Sequence, residues 1–580
     1  MMKKFCLFVV LLFVVFMSCK NSKKEVFEES EDYFDTIRKV TIHAIPEDLL
    51  ADKSDSIRSF YKLFENHEIW VDRENREDLI SQIEKTKDEG LNPEDYNINK
   101  IFRLELRMDS LQVEEKLAYD ILLTQTYEKL CNHYYRGKLN PDEVYDNWDL
   151  FDKKLSIAKL LKEAIDTKKI APSIKGLLPT HPIYLSLKGA LVEVDKLPAS
   201  KFDSIDINLK IKFNDNSEVI KKIKQRLVYW KDLKQEDTLY TNKFDAKMLN
   251  AVKKFQARHG LFADGVIGIG TIKALNYNKE TRKGQILANL ERWRWFSRNL
   301  GDQYILINLP DYELDYVKDN DTVATHKIVC GRPQRMTPIL SSKLSNFVFN
   351  PTWTVPPTII KEDLTVEATA NRNYFTRNRI TIYKGTNTVV SPSEWNPEKA
   401  ESYRYVQTPG YNNSLGVVKF NFPNHHSVYL HDTNHRDYFE YKYRALSSGC
   451  VRVENPVSLA KKVLEGQDNG RWKSLEVIRK ERAEKEAKLK LNKNYKPVKL
   501  SPEELEAKQK MLAEEQDAID KIIAAKETYY IKVKEPIYIH QLYWTSWSDK
   551  NGLQFRDDIY NLDKILYNKL GGIGDNINDQ

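Results

Sequence analysis

The sequence predicts a multidomain α+β protein in which helical units precede a mainly β domain, and three observations carry that reading. The chain has 580 residues, too many for one hydrophobic core, so about two to four domains are expected. From Asp55 to about Ser200 apolar residues recur at three- and four-residue intervals, as in Leu79, Ile80 and Ile83 or Leu117, Ile121 and Leu122, which is the helical period. From Tyr304 the period switches to two, in Tyr304-Ile305-Leu306-Ile307-Asn308-Leu309 and Glu313-Leu314-Asp315-Tyr316-Val317, and that alternation predicts strands.

At the N-terminus Lys3-Lys4 precede an apolar run from Phe5 to Met17, which ends in Ser18-Cys19. The run is shorter than the ~20 residues a membrane-spanning helix needs, and its basic flank marks a secretory signal. Phe16-Met17-Ser18-Cys19 resembles a relaxed bacterial lipobox. That resemblance implies a lipoprotein signal over residues 1–19 and lipidation of Cys19. Residues 20–35 are charged with few structural signals, consistent with a tether. Residues 20–24 lack acidic side chains, which argues against a surface-export signal. The expected location is the periplasm, held to a membrane by the lipid anchor, the outer membrane rather than the inner.

The formal net charge is +7 and 30% of residues are charged. Such a mild excess, spread along the chain, suits an anionic wall or membrane surface and lacks the clustered footprint of nucleic-acid binding. No nucleic-acid partner is expected. Of five cysteines, Cys6 and Cys19 fall in the signal, leaving Cys131, Cys330 and Cys450. That is a poor disulfide framework for an exported protein, and no Cys-x-x-Cys metal pattern exists. No metal and no cofactor are expected. Cys330, in Lys327-Ile328-Val329-Cys330, reads as packed core.

Residues 36–216 form the first helical unit, with turns at Gly90-Leu91-Asn92-Pro93 and Gly137-Lys138-Leu139-Asn140-Pro141. Residues 217–280 form a compact one: a helix with Ile220, Ile223 and Leu227, a second with Leu249, Val252 and Phe255, the Asp264-Gly265 turn, and a third with Ile272 and Leu275. The β domain covers 300–570. A polar, partly helical stretch at 357–406, with Arg372, Tyr374, Arg377 and Arg379, interrupts it, and a run this long inside a compact domain is functional or disordered. Asn455-Pro456 opens a helix that runs to Gly466. The charged segment 479–527 holds the capping-box pattern Ser501-Pro502-Glu503-Glu504 and a heptad recurrence of Leu505, Leu512 and Ile519. It reads as a projecting helical insertion.

The chemistry centres on Ser447-Ser448-Gly449-Cys450-Val451-Arg452-Val453. A cysteine in a Ser-Gly turn before a short apolar strand is held where its sulfur can be exposed. The attacking species is the thiolate, so the cysteine needs a base or cation nearby, and a histidine upstream in sequence can supply it. In Ser427-Val428-Tyr429-Leu430-His431 the alternation puts Val428 and Leu430 on one face of a strand and Tyr429 and His431 on the other. An arbitrary free cysteine is usually buried core and a lone histidine structural; the paired context favours a nucleophile and its base. Asp432 follows on the strand and points away, so it is not assigned as a third member.

These residues resemble the catalytic motif of the L,D-transpeptidases, the YkuD-type cysteine enzymes that cross-link peptidoglycan. In that family a histidine precedes a Ser-(His or Ser)-Gly-Cys segment followed by a hydrophobic residue and Arg. Many members have His where this chain has Ser448. That departure matches the large multidomain branch and leaves His431 as the evident base. Gly331-Arg332-Pro333 with Thr337-Pro338, the run Asn350-Pro351-Thr352-Trp353-Thr354-Val355-Pro356, and Pro409-Gly410 with Leu415-Gly416-Val417-Val418-Lys419-Phe420 agree. The likeness runs from about residue 30 to 570.

The resemblance implies an α-helical scaffold domain over 36–216 and a three-helix peptidoglycan-binding-like domain over 217–280, for which a helical spacer is the other reading. It implies a mainly β YkuD-type sandwich over 300–570, with 357–406 as a mobile lid over the substrate and 479–527 inserted before the closing strands. Cys450 is implied as nucleophile, His431 as general base and acid, and the backbone N–H groups of Gly449 and Cys450, with Tyr429 nearby, as oxyanion support. Trp353, Lys419, Ser448 and Arg452 are implied cleft residues, with core packing for Trp353 and an ion pair for Arg452 as the other readings. The implied reaction passes a tetrapeptide donor stem to an amine acceptor, and peptidoglycan stem peptides are the expected partner. An L,D-carboxypeptidase with water as acceptor is the nearest rival. A metal peptidase built on His425, His426, His431 and His435 lacks the His-Glu-x-x-His arrangement, and a non-catalytic wall-binding scaffold needs neither Cys450 nor His431. The oligomeric state is left open.

Overall fold

The structure, a computed structural model, describes residues 42–146, 148–150, 153–199, 202–234, 241–491, 500–513 and 515–571. The expected signal, Cys19 and the tether lie outside the described residues. Helices from Glu47 to Lys175 close on a core of their own, with Val113–Arg136 as the longest; Leu117, Ile121, Leu130 and Cys131 line its buried face. Asp120 is buried there because its carboxylate accepts from the Ile69 and Trp70 N–H groups at 2.8 and 2.7 Å and from the Tyr61 hydroxyl at 2.8 Å. A buried carboxylate without such donors would be costly.

The compact unit has the three expected helices, Val219–Tyr229, Ala246–Arg258 and Ile269–Asn276, packed through Ile220, Ile223, Leu227, Val252, Phe255, Ile272 and Leu275. Gln256 closes the Asp264-Gly265 turn: its side chain accepts from Gly265 N–H at 2.8 Å and donates to the Val266 carbonyl at 2.9 Å.

Two further helices, Pro182–Asp195 and Lys279–Trp295, pack in the same core as the β domain. Lys279–Trp295 buries charge. Arg292 meets Asp563 at 2.5 Å and Arg294 meets Glu291 at 2.7 Å, all four nine-tenths or more buried. Paired and hydrogen-bonded, these groups are tolerable inside; singly they would not be.

Among the described residues the β domain is built on one 12-stranded sheet, to which Trp148–Asp149 adds an edge strand and in which the long strand Asp321–Gly331 is central. That strand pairs antiparallel with Glu313–Lys318 and, through Ile328 and Val329 near its end, with Val451–Val453. On one side follow Gln303–Asn308, Tyr538–Leu542 and Ile339–Lys343; on the other follow Leu430–His431, Val418–Asn421, Asn346–Phe349 and Tyr529–Lys532. Ile305, Ile307 and Leu340 from the first half share a core with Phe347, Phe420, Leu430 and Val451 from the second. The sheet thus folds over itself as the expected sandwich. Tyr538–Leu542 runs parallel to Gln303–Asn308, so the domain closes only after the charged insertion.

That insertion consists of Leu475–Lys490, Pro502–Ala513 and Ala518–Ala525, tied by Arg482 to Glu515. No side chain of Leu475–Lys490 is buried, which is the projecting form expected. The heptad recurrence makes no common seam, because Leu505 is exposed and Ile519 is buried in the main core.

The expected lid at 357–406 is more ordered than a polar, partly helical stretch suggests. It is a folded unit: Trp353–Thr354, Tyr403–Gln407, Ile380–Lys384 and Thr388–Val390 form a four-stranded sheet. Leu364, Ala368, Phe375, Ile382, Trp395 and Tyr405 give it its own core. The Trp395 indole donates to the Tyr405 hydroxyl at 2.7 Å. None of its short elements buries more than two residues, so the stretch reads as polar although it is packed.

Candidate active site

The turn that carries Cys450 is built by distant segments. Gly449 has φ of +110°, a region other residues rarely adopt. The Gly449 carbonyl accepts from the Thr337 hydroxyl at 2.7 Å, and the Ser447 carbonyl accepts from Arg332 N–H at 2.9 Å. Thr337 also accepts from Gly331 N–H at 2.8 Å, and Tyr560 donates to the Gly331 carbonyl at 2.6 Å. At Gly331 a side chain would stand 2.1 Å from the Arg335 carbonyl. The Gly-Arg-Pro and Thr-Pro blocks therefore form the floor under the cysteine.

Across the turn, Val451–Val453 runs parallel to Leu430–His431, with His431 opposite Arg452, and Val451 N–H donates to the Tyr429 carbonyl at 3.1 Å. Lys419 lies opposite His431 on the next strand. In this register Tyr429, His431, Lys419, Cys450 and Arg452 share one face. Lys419 Nζ stands 3.8 Å from the centroid of the Tyr429 ring, and that ring lies 5.5 Å from His431. The Tyr429 hydroxyl lies near both the Cys450 thiol and the Trp353 side chain.

His431 is buried, and its Nδ1 meets the Asp432 carbonyl. A carbonyl only accepts, so Nδ1 carries the hydrogen and Nε2 keeps the lone pair. Burial, with Arg452 next to it, pushes the His431 pKa down to about 3. The ring is neutral at physiological pH. The Asp432 carboxylate points away, as expected, accepting from Val417 N–H at 2.9 Å and pairing with Arg436 at 2.6 Å.

Several expectations change. Cys450 is half-buried rather than exposed, and burial raises its thiol pKa against the opposing pull of Tyr429, Lys419 and Arg452. The Cys450 thiol and the His431 imidazole on this face are thus both neutral, which suits the expected role of His431 as the base that takes the thiol proton. The Gly449 N–H already donates to Ser447 Oγ at 3.3 Å, so it is not a free oxyanion donor here. The Ser448 hydroxyl is engaged by Arg335, accepting from its Nη1 at 2.7 Å. Among the described residues Arg452 makes no ion pair: its Nε and Nη1 are buried without a hydrogen-bond partner there, and the guanidinium lies 5.6 Å over Tyr438. Trp353 is half-buried at the base of the capping unit, between its core and Tyr429. Among the described residues no group of three or more His, Cys, Asp or Glu side chains converges to hold a metal ion, so the four histidines do not form a cluster. Arg335 and Tyr560 were not singled out by sequence reasoning; Thr337 carried a signal only through its motif block.

Residues 302–478 match the family model of the L,D-transpeptidase catalytic domain, YkuD. The chain carries an L,D-transpeptidase catalytic domain. Residues 55–191 of this L,D-transpeptidase-domain protein match the "Scaffold domain" model, and residues 216–275 match the model described as "Putative peptidoglycan binding domain". A curated relative from Haemophilus influenzae, named "Putative L,D-transpeptidase", is 42% identical over 159 residues, which are 27% of this chain and 32% of the relative. The chain thus matches about a third of that relative's length. The solved L,D-transpeptidase from Xylanimonas cellulosilytica is 15% identical and aligns over 45% of this chain and 90% of its own, with a TM-score of 0.14. The one from Stackebrandtia nassauensis is 16% identical and aligns over 44% and 93%, with a TM-score of 0.18. Both scores are too low to add to the fold argument.

Proposed function

We propose that the protein cross-links peptidoglycan stem peptides by two-step acyl transfer at Cys450. One observation carries this reading: within the matched domain, the sheet register gathers a thiol, an imidazole with its lone pair on Nε2, a phenol and two cations on one face. The Cys450 sulfur adds to the carbonyl of the L-centre residue of a donor tetrapeptide while its proton passes to His431. The C–N bond to the terminal D-Ala breaks, the proton goes to the departing amine, and a thioester remains. The acceptor amine then attacks the thioester, gives a proton to His431, and the thiol is restored. Tyr429 and the Cys450 N–H are the proposed oxyanion donors; losing one such donor typically costs ~10²–10³ in rate. The buried guanidinium of Arg452 adds positive charge beneath the cleft, and Lys419 and Trp353 line it.

Incubating the full chain with tetrapeptide stems and analysing products by mass tests this. Cross-linked dimers are expected, and none with Cys450→Ser; tripeptide alone at high acceptor concentration would instead make the protein a carboxypeptidase. The N-terminal lipidation at Cys19, with a periplasmic position on a membrane, is proposed from the sequence. Among the described residues no helix is long and apolar enough to cross a membrane.

A further inference from the structure

Arg452 stands beside both reacting groups: it follows Cys450 on the strand Val451–Val453 and lies opposite His431 in the parallel register. Among the described residues no carboxylate pairs with its guanidinium, and nothing accepts from its buried Nε and Nη1. What meets its tip is a ring. The guanidinium carbon lies 5.6 Å from the centroid of Tyr438, within the ~6 Å over which a cation is attracted to an aromatic face.

The ring itself is fixed from several sides. Tyr438 sits in the helical turn Arg436–Glu440, which packs on the strand Asp321–Gly331 and buries Phe439. His435 stacks on Tyr438 with centroids 4.9 Å and planes 18° apart, and Tyr441 stacks on it at 5.5 Å and 28°. Where the turn begins, Arg436 pairs with Asp432 at 2.6 Å and lies 3.7 Å over Tyr411. Asp432 directly follows His431, so the turn that carries the ring is tied to the strand that carries the base. The groups facing the two reacting side chains are otherwise cationic or neutral. Lys419 comes from the neighbouring strand and Tyr429 from the strand of His431 itself, while the Asp432 carboxylate turns away to Arg436. On the turn, Asp437 accepts from the Tyr441 hydroxyl at 3.3 Å, and Asp437 and His435 act on Arg452 only through space. Burial comes first for both reacting groups; of the charges, Arg452 and Lys419 oppose protonation of His431 and favour the Cys450 thiolate.

We propose that Tyr438 is a positioning residue whose ring holds the Arg452 guanidinium at the face of His431 and Cys450, so that a fixed positive charge stands beside the nucleophile and its base. The use of that charge rests on the acyl-transfer reading above. Its position does not, and it is measured without any wall substrate.

Alkylation of Cys450 in the full-length protein by iodoacetate, an anion, and by iodoacetamide, its neutral counterpart, reads that charge, with rates taken by mass on the peptide containing Cys450 at low salt. A nearby cation raises the iodoacetate rate relative to the iodoacetamide rate, and added salt shrinks the difference. Tyr438→Leu keeps bulk and removes the aromatic face. It is expected to lower the iodoacetate-to-iodoacetamide ratio about threefold and to raise the pH at which the thiol ionises, whereas Tyr438→Phe is expected to keep the wild-type values. Arg452→Gln is expected to show the same loss, and adding Tyr438→Leu to it to change nothing further. Mere loosening of the site would expose the thiol, speed both reagents alike and lower the pH at which it ionises. That pattern would overturn the proposal, as would a ratio unchanged in Tyr438→Leu or equally lowered in Tyr438→Phe. Should Tyr438→Leu lose its cooperative melting, Tyr438→Gln serves in its place with the same expectations. Failure of the protein to cross-link stems would instead count against the acyl-transfer reading and leave these rates standing.

Discussion

Arg335 donates from Nη1 to the Ser448 hydroxyl at 2.7 Å, so the turn that carries the cysteine is tied to an arginine that also holds the capping unit. The same guanidinium pairs with Asp363 at 3.0 Å and with Glu362, and its side chain is only 10% exposed while the acids are about half exposed. Partly exposed pairs of this kind are screened by solvent and hold only weakly. The latch is therefore weak enough to open for substrate. Opening it permanently by Glu362→Gln with Asp363→Asn is expected to leave thioester formation at Cys450 within about threefold and to lower the ratio of cross-linked dimer to tripeptide, because a loose cover admits water to the thioester. An unchanged ratio would remove the capping unit from acceptor choice.

The pH dependence follows from the neutral thiol and imidazole. His431 titrates at about 3 in the fold, against about 6.5 unfolded, and the Cys450 pKa is raised by burial. Alkylation of Cys450 by iodoacetamide is expected to fall about tenfold per pH unit from 8 to 5, following the thiolate fraction. A flat rate over that span would indicate a thiolate–imidazolium pair. For stability the sign is fixed by the depressed folded pKa: the unfolded chain takes up a proton that the fold refuses, so this contribution is present above about pH 6.5 and is lost as pH falls toward 3. His431→Gln is expected to flatten that part of the melting curve against pH.

Tyr560 acts on the turn from far along the chain. Its hydroxyl donates to the Gly331 carbonyl at 2.6 Å and accepts from Thr337 N–H at 3.2 Å. Tyr560→Phe leaves both groups buried without that partner, a cost of about 1–3 kcal/mol. Lower melting temperature together with slower acylation of Cys450 is expected; a change in melting alone would make the contact purely structural.

The proposed lipid anchoring is tested separately from the catalytic chemistry. With Cys19→Ala the protein is expected to move from the membrane fraction to the soluble one, and the wild-type N-terminal peptide to carry lipid. One acyl chain holds only marginally, so stable anchoring requires more than one chain on Cys19. Membrane association unchanged by the substitution, with no lipid on that peptide, would reject the lipidation.

Much of the architecture was legible because it rests on period. The strands at 303–318 and the three helices of the compact unit alternate or repeat as their packing demands. Helix Lys279–Trp295 was not legible, since its buried side carries Glu291, Arg292 and Arg294, whose partners include Asp563 nearly three hundred residues on. At the site, Cys450, His431 and Tyr429 were readable from a turn and an alternating strand. Their protonation was not, because it depends on how deeply the folded sheet buries them. Arg335 and Tyr560 were hidden for a similar reason: a side chain that works through a contact across the fold leaves no local pattern.

The central claim is that Cys450 alone carries the acyl group. Cys131 and Cys330 are buried, and burial raises both thiols, Cys330 to about 12, so neither competes. Acid-quenched peptide mass mapping of the full chain mixed with donor tetrapeptide measures this directly. The account expects the tripeptidyl mass on the peptide containing Cys450, none with Cys450→Ser, and an undiminished adduct with Cys131→Ala and Cys330→Ala. An adduct on any other residue, or one that forms at the wild-type rate in Cys450→Ser, would contradict it.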